Sequence, residues 1–545
     1  MPLTVRKPPY AEACAAFRWA DSLRALGWTS EGAVSLGETI VDRHAASGRN
    51  ALAWYGKDGS SRALTYEALA RQTSQCANAL RALGVRPGDR VAGFLPRVPE
   101  TVVFMLGSWK AGAVYVPIFT GFGADAITFR IEHSGAKVLC THGDDRARVP
   151  AALPGGATGL TVGRPDGAPP GEIDFWTALR AQPETCAPVE RRRDDPAVLL
   201  YTSGSTGPPK GVKIAVNFVL AIHPYMRYAV DLRPDDVFWP TGDPGWGYGL
   251  VCYMVALAMG VPVVSHEATP TPEYCLERLA ALGVTNLATT PTLLRGIMAL
   301  GEDAVRRWPV SVRCASSCGE PLNAEVVAFF QKVWGVTVTD QYGSSEFGLP
   351  IGNFNAISMA VKAGSMGLPL PGCHMAVVDD DGHECPPETV GHIGMRPSVE
   401  GTYSLAYWQD EERTREMMRG RWMTIGDLAR RDGDGYFWFE GRADDVIKSA
   451  GYRIGPFEVE IAILHHPAVA EAAVVGKPDS LRGHIVKAYV VLRPGVTARP
   501  GLADEIVETV KQRVGRHQYP RQIDFVPELP KTETGKIQRF VLRRQ

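Results

Sequence analysis

The chain has 545 residues, with 58 Lys+Arg against 59 Asp+Glu and a formal charge of -1. That length exceeds what one hydrophobic core supports, so at least two domains are expected. The balanced charge excludes a global field drawing the protein to nucleic acid or an anionic membrane, so any anion site has to be local.

The N-terminal stretch to Phe17 carries Arg6 and Lys7 but no long apolar run, and no stretch of 18 apolar residues follows, so a soluble cytoplasmic protein without a membrane span is expected. From Thr65 to Leu83 the apolar positions Leu69, Cys76, Leu80 and Leu83, with Thr65 as N-cap and Gly84 as stop, predict an amphipathic helix. The turn Arg86-Pro87-Gly88-Asp89 leads to a strand at Val91 to Leu95, a helix from Pro99 to Ala111 and a strand at Val114 to Ile118. Helix alternating with apolar strand implies a parallel α/β sheet. Another strand is expected from Lys137 to Thr141, and the Pro/Gly-rich segment from Pro150 to Pro170 reads as a surface loop.

After Gly441 the texture changes. The charged Arg442-Ala443-Asp444-Asp445 precedes a tail with predicted strands at Ala472 to Val475 and Val486 to Leu492 and a helix from Ala503 to Val514, a small α+β domain. Ten cysteines are scattered, the closest pair being Cys314 and Cys318 without matching His or Cys partners, so reduced, mostly buried thiols are expected rather than zinc ligands.

The most informative stretch is Thr202-Ser203-Gly204-Ser205-Thr206-Gly207-Pro208-Pro209-Lys210-Gly211. Glycines let backbone amides converge on an anion, hydroxyls add donors, and a lysine adds a compact charge. A Walker A loop is disfavoured, because the fifth position after Gly204 is Pro209 and Gly211 follows Lys210. Three further motifs follow: Tyr342-Gly343-Ser344-Ser345-Glu346; Thr424-Ile425-Gly426-Asp427 running on to Gly441-Arg442-Ala443-Asp444-Asp445; and Pro530-Lys531-Thr532-Glu533-Thr534-Gly535-Lys536.

In this order the four motifs resemble the acyl-adenylate-forming superfamily of acyl-CoA synthetases, luciferases and peptide-synthetase adenylation domains, from about Leu64 to Arg539. The resemblance implies an α/β fold: a large N-terminal domain (1–443) of α/β subdomains with mainly parallel sheets, and a small mobile α+β C-terminal domain (444–545) hinged at Asp444. A charged surface turn is the simpler reading of Asp444 by itself. The implied reaction is ATP-dependent activation of a carboxylic acid as acyl-AMP, then transfer to CoA, with Mg2+.

The resemblance also assigns roles. Thr202, Ser203, Gly204, Ser205, Thr206, Gly207 and Lys210 would hold the β- and γ-phosphates; Glu346 would hold Mg2+, although a carboxylate at a helix start is the plainer reading. Gly319-Glu320-Pro321 and the run Asp340-Gln341-Tyr342 match the stretches around the adenine, and Ser345 is expected among the ATP-binding residues. Asp427 would accept the ribose hydroxyls, and Arg442 would reach the ribose and phosphates, against a surface ion pair with Asp444 and Asp445. Lys536 is the expected catalytic cation, bridging the attacking carboxylate and the α-phosphate, with Arg453 as a second. For the thioester step, Gly451 leaves room for the pantetheine arm and Lys511 would meet the CoA phosphates, a helix-surface lysine being the alternative.

Where acetate-restricted members carry a tryptophan this chain has Gly343, and the acyl wall Trp246, Gly247 and Tyr248 also presents a glycine, so an acid longer or bulkier than acetate (medium-chain, branched or aryl) is expected. The chain ends nine residues after Lys536, which argues against a fused carrier domain. A stand-alone adenylase serving a carrier protein and a catalytically silent nucleotide-binding protein are the alternatives. Lys536 is also a chemically sensible target for a regulatory lysine acyltransferase and deacylase, since acylation would remove its charge.

Overall fold

The computed structural model describes residues 7–164, 168–202, 209–320, 322–443, 445, 447–449, 452–479, 483–514, 519–531 and 537–545. Two compact units emerge, the larger from Met1–Ser203, Pro209–His374 and Arg396–Glu416, the smaller from Met375–Met395 and Met417–Gln545.

In the larger unit an eight-stranded sheet runs in the order Ser404–Tyr407, Lys210–Ala215, Pro196–Thr202, Val114–Pro117, Arg90–Phe94, Val138–His142, Thr158–Val162 and Ile173–Asp174. The strands from Pro196–Thr202 onward are mutually parallel, and the first two join them through antiparallel pairings. Helix Tyr66–Ala82 forms where its period predicts it: the Thr65 side chain accepts the Ala68 amide at 3.1 Å, satisfying one of the first-turn donors. Helix Pro99–Lys110 is buried along its whole length, so its sequence is largely apolar all round rather than striped.

The stretch expected to be a surface loop holds a fifth parallel neighbour instead. Thr158–Val162 pairs with Val138–His142 and buries Leu160 and Val162. Burying such side chains contributes roughly 1.5–3 kcal/mol each, which outweighs the turn signals of the surrounding Pro and Gly residues. So short a strand offers too few positions to show a period.

A nine-stranded sheet completes the unit, in the order Leu368–Pro369, Gly348–Gly352, Val338–Ser344, Cys314–Cys318, Asn286–Thr289, Phe238–Pro240, Val263–His266, Asn50–Tyr55 and Ser61–Thr65. Its six inner strands are parallel and its outer ones pair antiparallel. One face packs on helices through Leu276, Leu279, Leu294, Ile297, Val326 and Phe330.

The smaller unit is α+β. Strands His374–Val378, Gly391–Arg396, Trp422–Arg431 and Met418–Arg419 form one sheet, with Phe437–Arg442 also paired to Trp422–Arg431. A second sheet pairs Val469–Asp479 with Gly483–Leu492, both longer than predicted. Helices Pro456–Leu464 and Leu502–Val514 pack on it around Val459, Ile463, Val474, Ala488, Val490, Ile506 and Val510.

No helix among the described residues is long and apolar enough to cross a membrane. The ten cysteines are reduced, and six of them are buried.

Candidate functional site

In the larger unit the parallel strands Phe238–Pro240, Asn286–Thr289, Cys314–Cys318 and Val338–Ser344 finish on one edge of their sheet. Ligands of open α/β sheets bind outside the carboxyl ends of such strands. Beyond Cys318 the chain turns at Gly319, whose φ of +101° favours glycine. Glu320 follows, its carboxylate accepting the Thr292 hydroxyl at 2.8 Å and pairing with Arg295. On the neighbouring strand Asp340 is buried, accepting the Ser317 hydroxyl at 3.0 Å and the Leu322 amide at 3.2 Å. Desolvation outweighs those two bonds and pushes its carboxyl up to about 7. Gln341 Nε2 donates to Thr339 Oγ1 and to the Asn353 carbonyl, and Tyr342 lies opposite Ile351.

The strand ends in a turn that aims Glu346. Ser344 Oγ accepts the amides of Glu346 and Phe347 at 3.2 and 2.9 Å, with Ser345 half-buried between them. Glu346 is buried, and its Oε1 accepts the Tyr407 hydroxyl at 2.9 Å. Tyr407 lies on the edge strand opposite Val212, and Lys210 Nζ stands 5.6 Å from its ring centroid. Thr202 directly opposes Lys210. The two described feet of the Gly/Ser loop therefore lead through one aromatic ring to a buried carboxylate. An ammonium and a hard oxygen donor on either side of one ring suit a polyphosphate with its cation.

In the segment expected to wall the acyl pocket, Asp243 Oδ1 accepts the Gly245 amide at 2.7 Å, and helix Gly247–Ala258 starts after Trp246. Beyond its chain neighbours and its own helix backbone, a Cβ at Gly247 would meet Leu200 Cδ2 at 3.0 Å and nothing else within 4 Å among the described residues. Tyr248 Oη lies 3.2 Å from Tyr225 Oη. Gly343 is different: a Cβ there would run into the Gly348 carbonyl and Leu349 Cδ2, so its missing side chain leaves no room of its own.

In the smaller unit Asp427 faces Arg442 across two antiparallel strands, and Arg442 Nη1 donates to Asp427 Oδ1 and to the Ile425 carbonyl, each at 2.9 Å. Asp445 pairs instead with Arg539 and Arg543. Lys511 sits on helix Leu502–Val514, 3.3 Å from Glu508 and 4.9 Å from the Tyr519 ring centroid. Arg453 lies on strand Tyr452–Ile454. Its side chain lies outside the described residues, as do Ser203, Gly204, Ser205, Thr206, Gly207, Pro321, Asp444, Gly451 and Lys536.

The profile of the AMP-binding enzyme family matches residues 41–403, and that of the AMP-binding enzyme C-terminal domain matches 458–536. The chain belongs to the AMP-binding enzyme family. This AMP-binding enzyme is 37% identical to the acetyl-coenzyme A synthetase of Bacillus subtilis (strain 168), over 98% of this chain and 94% of that protein. Among solved structures it resembles the Brucella canis acyl-CoA synthetase (TM-score 0.79, 40% identity, 98% of each chain covered). It also resembles the anthranilate CoA ligase AuaEII in complex with anthranoyl-AMP (TM-score 0.85, 28% identity, 97% of this chain and 98% of that one). It is an adenylate-forming, AMP-forming acyl-CoA ligase of the acyl-CoA/acetyl-CoA synthetase type.

Sequence reasoning about this AMP-binding enzyme missed Tyr407. It lies 61 residues from the carboxylate it holds, and no local pattern marks it, since the edge pairing that brings it there is set by the sheet.

Proposed function

We propose that the enzyme joins an acid longer or bulkier than acetate to CoA through an enzyme-bound acyl adenylate. The supporting observation is Gly247, where, apart from its chain neighbours and its own helix backbone, a Cβ would meet only the movable far end of the Leu200 side chain among the described residues. In the first step a carboxylate oxygen bonds to the α-phosphorus of ATP, the bond to the β-phosphate bridge breaks, and pyrophosphate leaves. In the second the CoA thiol gives up its proton to solvent, its sulfur bonds to the acyl carbon, the acyl–phosphate C–O bond breaks, and AMP leaves with the electron pair.

In this reading Thr202 and Lys210, with the loop between them, hold the β- and γ-phosphates, and Asp340, Gln341, Tyr342 and the Gly319-Glu320-Pro321 turn enclose the adenine. Asp427, steadied by Arg442, takes the ribose hydroxyls. Glu346 fits a Mg2+ ion: it is a buried carboxylate whose Oε1 is oriented by a neutral hydroxyl, so its charge is not cancelled by that partner. Mg2+ would supply charge neutralisation to the pyrophosphate. Lys536 and Arg453 serve adenylation, Gly451 and Lys511 serve CoA, and Asp444 is the hinge between residues 1–443 and 444–545.

The test is acyl-CoA formation from acetate, butyrate, hexanoate and benzoate. Higher kcat/KM for one of the larger acids is expected, and a clear preference for acetate would overturn the size assignment. Transfer to a carrier protein but not to CoA would favour the stand-alone adenylase.

A further inference from the structure

The smaller unit contains a buried ionic joint beside two segments given roles above. Glu460, on helix Pro456–Leu464, is buried and accepts the Val474 amide at 2.8 Å. Its carboxylate also takes Arg539 Nε at 3.1 Å and Nη2 at 2.7 Å, a two-pronged guanidinium contact. Arg539 Nη1 reaches on to Asp445 Oδ2 at 3.4 Å, and Arg543 pairs with the same carboxylate.

The terminal helix Arg539–Leu542 has four residues, too few to persist by its own hydrogen bonds. It is held by that joint and by Leu542, which packs with Ala473, Val475, Tyr489 and Leu529 and whose carbonyl accepts the Tyr489 hydroxyl at 3.0 Å. Just upstream, Lys531 and Ile537 form an antiparallel bridge, and the Gln538 amide donates to the Pro530 carbonyl at 2.8 Å. Only Ile537 and Gln538 separate Lys536 from Arg539 in the chain, three backbone steps that span at most about 11 Å.

We propose that Arg539 is a positioning residue for adenylation: held by Glu460 and reaching Asp445, it ties the segment after Lys536 to the segment after Asp444, so that both turn as one block. This rests on the reading of Lys536 as the adenylation cation. A lysine that must meet developing charge loses its effect when displaced by about 1 Å, which is why a fixed Arg539 so soon after it in the chain would matter.

The experiment measures ATP–pyrophosphate exchange with the preferred acid, thioester formation from supplied acyl adenylate, and thermal midpoint, in the full-length enzyme. Arg539→Met is expected to lower exchange about a hundredfold while thioester formation stays at the wild-type rate; Arg539→Lys should recover part of the exchange. The double variant Glu460→Gln/Arg539→Met removes the buried charge together with its partner, and should regain thermal midpoint without regaining exchange. Equal loss of both half-reactions, or exchange returning along with stability in the double variant, would overturn the proposal. Lys536→Ala separates the two claims: wild-type exchange in that variant defeats the lysine reading, whereas loss of exchange there with none in Arg539→Met defeats the joint.

Discussion

Glu460 in the smaller unit and the pair Asp340 and Glu346 in the larger one are all buried carboxylates, yet they are answered differently. Glu460 meets a guanidinium. Asp340 meets a hydroxyl and an amide, and Glu346 a tyrosine hydroxyl. A guanidinium cancels the charge and makes a mechanical link, whereas neutral donors orient a carboxylate and leave its charge or its proton for a ligand. Burial by itself does not distinguish a joint from a binding group; the partner does.

The largest expected effect breaks the joint. Arg539→Met leaves Glu460 buried without its cation and should cost about 3–5 kcal/mol in urea unfolding of the smaller unit. Tyr407→Phe removes a neutral donor from Glu346, a bond worth about 1.5–3 kcal/mol. Adenylation kcat/KM should fall about ten- to a hundredfold, with the unfolding midpoint far less affected than in Arg539→Met.

Asp340 sharpens the contrast through pH. Burial pushes its folded carboxyl up to about 7 from an ordinary 3.8. Below about pH 4 it is protonated in both folded and unfolded chains. As pH rises toward 7 the unfolded chain gives up its proton first, so this group's stabilising contribution is lost across that window by up to about 1.4 kcal/mol per pH unit. Urea melts of wild type and Asp340→Asn at pH 5, 6 and 7 should converge or cross in that direction; a constant difference would contradict the neutral-donor account. The smallest effect is at Lys531, whose pair with Glu471 at 2.6 Å is solvated on both sides. Lys531→Met should cost less than about 1 kcal/mol.

Much of the fold was legible where one signal was local and strong. Thr65 as a cap and the period from Leu69 to Leu80 defined helix Tyr66–Ala82. Thr158–Val162 was not legible, because its partner strand decides its conformation and its flanking glycines and prolines point elsewhere. Among the candidate residues, the order of motifs pointed to Lys210 and Glu346 in the larger unit and to Asp427 and Arg442 in the smaller one, but several of the contacts around them are non-local. Tyr407 reaches Glu346 through sheet pairing, and Asp445 turns to Arg539 and Arg543 rather than to its neighbour Arg442. Gly343 shows the same limit: an absent side chain suggests space, yet Leu349 and the Gly348 carbonyl occupy it.

The most direct test of the central claim is pyrophosphate release on mixing enzyme, Mg-ATP and the preferred acid, first without CoA and then with it. The account predicts an acid-dependent burst of about one equivalent per site without CoA, as expected when the acyl adenylate accumulates on the enzyme without a bond to it, and steady turnover once CoA is added. No acid-dependent pyrophosphate under either condition, from protein that binds ATP by calorimetry, would contradict it.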